Sequence, residues 1–391
     1  MNDHPINDVV IAGIGQTPVG EFWDTSLRSL AARAIRRAMA DAGGLQPQAL
    51  YIGNFLSPSV SHQSNLGALI ADNSGLEGIE AFTVEAAGAS GACALRLGYL
   101  AVLSGYVDCA VVLGVEKVTD KVGPALEAAV SESLDGDYEA AYGLSQGAIA
   151  GLVARRYQHE FGAPRSTLGV LPLLAHVNAV NNPNAMYRKA IRREVYDSAE
   201  MLYDPLNLFD TAPYADGAAA VVITRPNCIP AENKHPPVKI TGSSIATDTL
   251  ALHDRTDLLG FQAVTVSTQK ACRQAGILPQ DVDLFELCDS YSIYGLLSLE
   301  AAGFAGRGQG WKLAEEGALA LDGRLPALTM GGNKARGYPI GASGVYQAVE
   351  AVLQLRGQAG ANQVKNARRA MVQTLGGPAS TAVTHILERM E

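Results

Sequence analysis

The feature that most limits what this 391-residue chain can fold into is an internal duplication. The segment AARAIRRAMADAGGLQPQALYIGNFL (31–56) is echoed by VSTQKACRQAGILPQDVDLFELCDS (266–290). Each reads as an amphipathic helix, an Ala-Gly stop, a Pro-Gln pair and a short strand, with glycine after the last turn as the expected helix end. A second echo follows in the same order. Gly88-Ala89-Ser90-Gly91 precedes a helix running through Ala101, and Gly341-Ala342-Ser343-Gly344 precedes one running through Leu355. Each of these helices leads to an apolar strand, CAVVLGV (109–115) and RAMVQTL (369–375), and strand signatures close each half at GAAAVVIT (217–224) and STAVTHIL (380–387). Repeats of this kind are one unit used twice. Strands alternating with helices predict an α/β protein with parallel-rich sheets covered on both faces. The halves, 1–235 and 236–391, are expected to pack as five layers, α/β/α/β/α. The first half carries extra residues, about 118–205, rich in polar and aromatic side chains, which read as an inserted loop region covering a site.

Composition narrows the function classes. The formal charge of −9 supplies no basic stripe for phosphate backbones, so nucleic acid is not an expected partner. The start, MNDHPINDVVIAGIG, has neither a basic segment nor a long apolar run and does not read as a secretory leader. No uncharged apolar run approaches the roughly 18 residues of a membrane span. The five cysteines (Cys93, Cys109, Cys228, Cys272, Cys288) are scattered without a CxxC pair, so no metal site is expected and reduced thiols point to the cytoplasm.

The two Gly-Ala-Ser-Gly turns admit two readings. A small-residue turn feeding a helix leaves free N–H groups at the positive end of the helix dipole, suited to an oxyanion. It equally permits close helix packing between the halves.

Six stretches in order, VVIAGIGQTPVG (9–20), EAAGASGACALRLGYLAV (85–102), LFDTAPYADGAAAVVI (208–223), ELCDSYSI (286–293), GGNKARGYPIGASG (331–344) and LGGPASTAVTHIL (375–387), resemble the thiolase superfamily, in its sterol-carrier-type and archaeal branch. The resemblance covers essentially the whole chain and implies the thiolase fold. The departures from it fall on the chemistry. Gly88 stands where the branch has its nucleophilic cysteine. Cys288, followed by Asp289, Ser290 and Tyr291, stands in place of a catalytic histidine motif. Gly337-Tyr338-Pro339 replaces Gly-His-Pro. A thiolase needs a thiolate activated by a nearby base, and all three elements are replaced. Cys93 reads as a buried small residue. Cys288 reads either as a residue facing the pocket or as a polarizable space-filler.

Tyr291 and Tyr338 both arise inside active-site motifs, and tyrosine can serve as a general acid or base without becoming a nucleophile. Such a site can still stabilise a thioester enolate, which also forms when a β-hydroxyacyl-CoA undergoes retro-aldol cleavage. The pattern resembles the lipid-transfer-protein-like aldolases of bacterial steroid side-chain degradation, in cholesterol and bile-acid catabolism. That resemblance implies a carbon–carbon lyase with Tyr291 and Tyr338 as the acid–base pair. Tyr338 is taken as hydroxyl base and Tyr291 as enolate donor, with the reverse open. Gly88, Cys288, Asp289, Gly376 and Gly377 are expected around the oxyanion and acyl-CoA pocket. No cofactor is expected beyond the CoA of the substrate. The first-choice substrate is 17-hydroxy-3-oxo-4-pregnene-20-carboxyl-CoA, giving androstenedione and propionyl-CoA. A C24 bile-acid-type 22-hydroxyacyl-CoA releasing acetyl-CoA is the close second. The implied partners are a second copy in a homodimer and an OB-fold protein with a zinc ribbon (DUF35-type), itself linked to a MaoC-like hydratase. A non-catalytic acyl-CoA-binding scaffold and acyl-CoA chemistry through Cys288 or Cys93 stay open. Asp289 also reads as a helix cap. Asn333, Lys334 and Arg336 read as a phosphate-binding pair or a solvated loop, and His62 and His176 as pocket or loop residues.

Overall fold

A computed structural model describes residues 8–231, 233 and 235–390. Residues 1–7 of the stretch read for a leader lie outside them. The first half runs β1 (Val10–Gln16), α1 (Leu27–Asp41), β2 (Ala49–Gly53), α2 (Leu66–Ser74), β3 (Glu80–Val84), α3 (Ser90–Ser104) and β4 (Cys109–Glu116). The extra segment follows as α4 (Pro124–Ser131), α5 (Gln146–Phe161), α6 (Val170–Ala179), α7 (Arg193–Asp197) and the short strands β5 (Met201–Tyr203) and β6 (Leu206–Asn207); β7 (Gly217–Thr224) ends the half. The second half is β8 (Val238–Thr247), α8 (Gln262–Ala275), β9 (Leu284–Glu286), α9 (Ser292–Ala301), α10 (Gly310–Glu315), α11 (Ser343–Leu355), β10 (Arg369–Gly376) and β11 (Thr381–Arg389).

The strand order is β3-β2-β4-β7-β1-β8-β11-β10-β9. It is its own mirror about the β1–β8 junction: β1 answers β8, β7 answers β11, β4 answers β10 and β2 answers β9. The junction itself is two residue pairs, Val10 with Lys239 and Ile11 with Val238. The expected parallel-rich sheets are corrected. Three neighbouring pairs are parallel (β2–β3, β2–β4, β9–β10) and five antiparallel, because β7 and β11 each return between two outer strands.

Layering follows from which faces are apolar. Helix α1 buries Leu27, Leu30, Ala31, Ala34, Ile35 and Ala38, a spacing of three and four that makes one stripe against β1, β7 and β4. Ser26 starts it by accepting the Ser29 N–H. On the far side α8 packs on β8 and β11. Between the sheets lie α3 and α11, touching each other and strands of both halves. The outcome is the five-layer α/β/α/β/α thiolase fold. Ala87–Ser104 is apolar enough over 18 residues to pass as a membrane span by composition, yet it is mostly buried as this middle layer.

The two Gly-Ala-Ser-Gly turns meet here, and close packing is the reading the structure favours. A Cβ on Gly91 would lie 2.8 Å from the Gly341 carbonyl oxygen, and one on Gly344 would lie 2.6 Å from the Ala92 nitrogen. Glu116, at the end of β4, fastens the same region. Its carboxylate accepts from the backbone N–H of Phe55 (3.1 Å), Leu56 (3.0 Å) and Gly341 (3.0 Å). The segment read as an inserted loop is largely helical, and α5 and α6 pack on α9 of the second half.

Candidate active site

Gly88 lies in a tight turn, Ala87–Ala89, ahead of α3. Ser90 secures the turn by accepting the Ala86 N–H (2.9 Å) and donating to the Ala87 carbonyl (2.7 Å). The space in front of Gly88 is filled. A Cβ there would lie 2.6 Å from the Leu375 carbonyl oxygen and 2.7 Å from the Tyr338 hydroxyl. The phenol of Tyr338 therefore occupies the volume into which a nucleophilic side chain at 88 would project.

Both predicted tyrosines are buried, Tyr291 2% and Tyr338 5% exposed. One extended segment holds them together. Ala212 donates to the Ser290 carbonyl (2.8 Å), Tyr338 donates to the Pro213 carbonyl (2.9 Å) and Ala215 donates to the Tyr338 carbonyl (3.1 Å). Residues 211–215 are thus bracketed by 290–291 on one side and 338 on the other. That segment carries Tyr214, a third tyrosine the sequence reading did not single out. Its ring stacks on Tyr338 with centroids 6.1 Å apart and planes at 29°, and its phenol and that of Tyr291 lie near enough to influence one another electrostatically. Burial pushes all three phenols well above their ordinary value of 10, with neighbouring acidic groups adding to it. The nearby Ser290 side chain partly opposes this at Tyr338.

The thiols are arranged against nucleophilic chemistry. Cys288 is 1% exposed, lies 3.8 Å from Ser290 Oγ and 3.8 Å from Asn333 Nδ2, and burial raises its thiol. Cys93 is pushed up to about 12, chiefly by burial and secondarily by Glu85. A reactive cysteine is shifted the other way. Asp289 does not cap α9. Its carboxylate accepts the backbone N–H of Asn333 (2.7 Å) and Lys334 (3.4 Å), and so shapes the turn Gly332–Arg336 that leads to Tyr338. Gly376 lies beside the Gly88 turn, where a Cβ on it would be 2.4 Å from the Ala86 carbonyl oxygen; Gly377, with φ +57°, instead faces Ser133, whose carbonyl oxygen a Cβ would meet at 2.9 Å.

Lys334 and Arg336 are buried and do not form a solvated loop. Arg336, 1% exposed, pairs with Glu350 at 3.3 Å and lies over the Tyr346 ring. Lys334 donates to the Asp210 carbonyl at 2.7 Å, and burial lowers its ammonium to about 8 despite Asp289 and Asp210 nearby.

A cavity of about 390 Å³ opens beside these groups, within the usual size range for a small-molecule site. Its walls are mostly apolar, with Tyr187, Leu202, Tyr203, Phe209, Pro213 and Tyr214 prominent. Lys334, His176 and Glu127 supply polar points. Of the atoms lining it, Glu127 Oε2 and Thr211 Oγ1 have no hydrogen-bond partner among the described residues. Tyr291, Tyr338, Gly88, Cys288 and Asp289 do not line the cavity; Tyr214 connects it to the tyrosine pair. An adjoining groove of about 660 Å³ shares His176, Tyr187 and Phe209 and adds Arg188 and Lys189. Much of the wall comes from the segment 118–205, as a region covering a site would provide. Of the two histidines named from sequence, His176 lines the cavity, with Nδ1 3.1 Å from the Lys189 carbonyl oxygen. His62 has left-handed backbone, φ +52°, in the loop ahead of α2. No cluster of metal-ligating side chains occurs among the described residues.

Comparison with known proteins places this geometry. The model of the thiolase N-terminal domain matches residues 9–227, and that of the thiolase C-terminal domain-like family matches 244–389. The chain is 40% identical over 386 residues to an acetyl-CoA acetyltransferase of Methanothermobacter thermautotrophicus, covering 98% of this chain and 100% of that one. It is 30% identical over 362 residues to the 17-hydroxy-3-oxo-4-pregnene-20-carboxyl-CoA lyase of Mycobacterium tuberculosis, covering 89% and 91%. Among solved structures it superposes on an Ltp2-ChsH2(DUF35) aldolase with a TM-score of 0.84 at 26% identity, covering 98% of each chain.

Proposed function

Because the chain belongs to the thiolase family, and because a phenol fills the position of that family's nucleophile, we propose that it is a retro-aldolase acting on a β-hydroxyacyl-CoA. The carrying observation is the 2.7 Å approach of the Tyr338 hydroxyl to the place of a Cβ at Gly88. No acyl-enzyme can form on glycine, and the two buried thiols near the site are raised rather than activated.

In the reaction a base removes the β-hydroxyl proton and the Cα–Cβ bond breaks. The ketone or aldehyde leaves, and its former bonding pair becomes the enolate of the shortened thioester, which is protonated at Cα. We assign Tyr338 as the group that protonates Cα, because its hydroxyl sits where a thiolase nucleophile meets the thioester. Tyr291 then takes the hydroxyl proton, the reverse of the assignment favoured from sequence. We assign backbone N–H groups near Gly88, Gly376 and Gly377 as donors to the enolate oxygen, each such donor contributing roughly 10²–10³ in rate. The aromatic cavity suits a bulky alicyclic body, and the groove with Arg188 and Lys189 suits the CoA phosphates. No cofactor takes part.

The substrate reading remains 17-hydroxy-3-oxo-4-pregnene-20-carboxyl-CoA, released as androstenedione and propionyl-CoA, with the 22-hydroxy C24 thioester next. Similarity to the lyase and to the Ltp2-ChsH2(DUF35) structure supports the steroid class and a DUF35-type partner. A homodimer through the first half would pair the outer edge of β3, where Phe82 and, on α3, Leu100 and Leu103 are exposed. Five free thiols suit the cytoplasm. A second reading, acyl transfer, draws on the 40% identity to an acetyltransferase. It requires a cysteine nucleophile and predicts inactivation by an alkylating agent with protection by substrate.

The test is to supply each steroid thioester to the chain co-expressed with a zinc-ribbon OB-fold protein, and to follow products by mass spectrometry. Release of a 17-ketosteroid and propionyl-CoA, lost in Tyr291→Phe and Tyr338→Phe, is the expected result. Tight ester binding with no cleavage of either substrate, or dispensable tyrosines, would replace the proposal with the scaffold reading.

A further inference from the structure

The cavity assigned to the substrate body contains one lysine, and among the described residues no carboxylate pairs with it. Lys334 is 2% exposed and lines the cavity. Its ammonium makes one hydrogen bond, to the Asp210 carbonyl oxygen at 2.7 Å. The two carboxylates that act on it from nearby, Asp289 and Asp210, are engaged elsewhere. Asp289 accepts the backbone N–H groups of Asn333 and Lys334. Asp210 accepts from Tyr196 Oη (2.9 Å), Ser292 Oγ (2.7 Å) and the Asn207 backbone N–H (2.9 Å). An ammonium carries three donors, and a buried charge is costly unless it is paired and hydrogen-bonded. One donor of Lys334 is used within the chain, so the others are open to a ligand acceptor.

Resting on the retro-aldolase reading and its substrate class, we propose that Lys334 is the specificity-determining residue of this cavity. It donates a hydrogen bond to a carbonyl oxygen on the substrate body, at the end remote from the bond that breaks.

The layout of the wall selects that end. Residues 211–214 all line the cavity. The segment starts from Asp210, where Lys334 is anchored, and reaches Tyr214, whose ring stacks on Tyr338. Four extended residues span at most ~13 Å. The ammonium therefore stands at one end of this wall and the Tyr214–Tyr338 pair at the other. A fused four-ring body lies along such a length with its side chain toward Tyr338 and its first ring toward Lys334. In 17-hydroxy-3-oxo-4-pregnene-20-carboxyl-CoA that ring carries the 3-oxo group, and conjugation with the ring alkene enriches its oxygen as an acceptor.

The neighbouring polar groups suit other partners. His176 Nδ1 faces the Lys189 carbonyl oxygen at 3.1 Å and can only donate there, so the neutral ring keeps Nε2 as an acceptor. Glu127 brings a carboxyl group. A ligand carbonyl is met by Lys334, which burial lowers only to about 8 and which is thus charged at neutral pH. A body without that oxygen would leave the ammonium donors unmade, and such sites discriminate strongly against the analogue that lacks the partner.

The experiment measures equilibrium binding to the chain co-expressed with a zinc-ribbon OB-fold protein. The probes are 3-oxo-4-pregnene-20-carboxyl-CoA, which has no β-hydroxyl to cleave, and its 3-deoxy counterpart, 4-pregnene-20-carboxyl-CoA. Wild type should bind the 3-oxo thioester about 10- to 100-fold tighter, the range for a hydrogen bond to a charged group. Lys334→Met should bind the two about equally. That variant leaves the Asp210 carbonyl oxygen without its donor and could fold poorly, so the wild-type ratio stands as a separate test. Equal affinities in wild type, or undiminished discrimination by folded Lys334→Met, would overturn the role of Lys334 and leave the retro-aldolase standing. Binding of neither thioester by wild type would strike the steroid reading beneath it instead.

Discussion

The substitution Gly88→Ala tests the site with a single methyl group. The added Cβ would lie 2.6 Å from the Leu375 carbonyl oxygen and 2.7 Å from the Tyr338 hydroxyl, where ordinary contact begins at 3.4 Å. The carbonyl would have to yield roughly 0.8 Å and the phenol roughly 0.7 Å. They differ in freedom. Leu375 is fixed in β10 by its register with Ala382 in β11. The Tyr338 ring is a side chain and moves first. Overpacking of this kind costs about 1–3 kcal/mol, and misplacing a reacting group by nearly 1 Å costs on the order of 100-fold in rate. Gly88→Ala should therefore lower the denaturant midpoint modestly and thioester cleavage severely. Tyr338→Phe in the same chain removes the hydroxyl half of the clash, so the double variant should lose less stability than the sum of the two singles. The assay is urea unfolding with product analysis on all three variants. Full activity and stability in Gly88→Ala would refute the claim that the phenol fills the nucleophile's place.

Two further outcomes follow from buried groups. His385 lies in β11 with Nε2 3.1 Å from the Ala92 carbonyl oxygen and Nδ1 unpartnered among the described residues, and burial lowers its imidazolium to about 4 from an ordinary 6.5. Its folded value is the lower one, so the unfolded chain binds the extra proton: stability is full above about pH 6.5 and falls as pH drops toward 4. The loss is on the order of 3 kcal/mol, and His385→Leu should flatten it in unfolding curves taken across that window. Cys288→Ser should keep cleavage within a few-fold of wild type, and iodoacetamide should leave the native enzyme active; substrate-protected inactivation would instead support acyl transfer through a thiol.

The duplication was legible because helix stops and apolar strands are local signals, and they recur at matched spacing. The pairing directions were not, since the return of β7 and β11 between outer strands is decided by tertiary packing. Tyr291 and Tyr338 stood out as exchanges inside motifs. Tyr214 did not: it sits in APYADG, which has no regular period, and its place in the site arises from its own backbone bridge to Tyr338, 124 positions away, and that of Thr211 to Tyr291, 80 positions away. Lys334 and Arg336 misled because charge in a glycine-rich run reads as solvent-exposed. Their burial depends on Asp210 and Glu350, remote in sequence. Glu127, Tyr187 and Tyr203 in the cavity wall come from the 118–205 region, whose irregular order hides which side chains converge.

The most direct test of the central claim needs no choice of steroid. The chain would be incubated with propionyl-CoA in D2O, with mass spectrometry of both the thioester and the intact protein. Tyrosine-based enolate chemistry predicts deuterium entering Cα, loss of that exchange in Tyr338→Phe, and a protein mass free of any acyl adduct. An acyl group on the protein, or exchange indifferent to Tyr338→Phe, would contradict it.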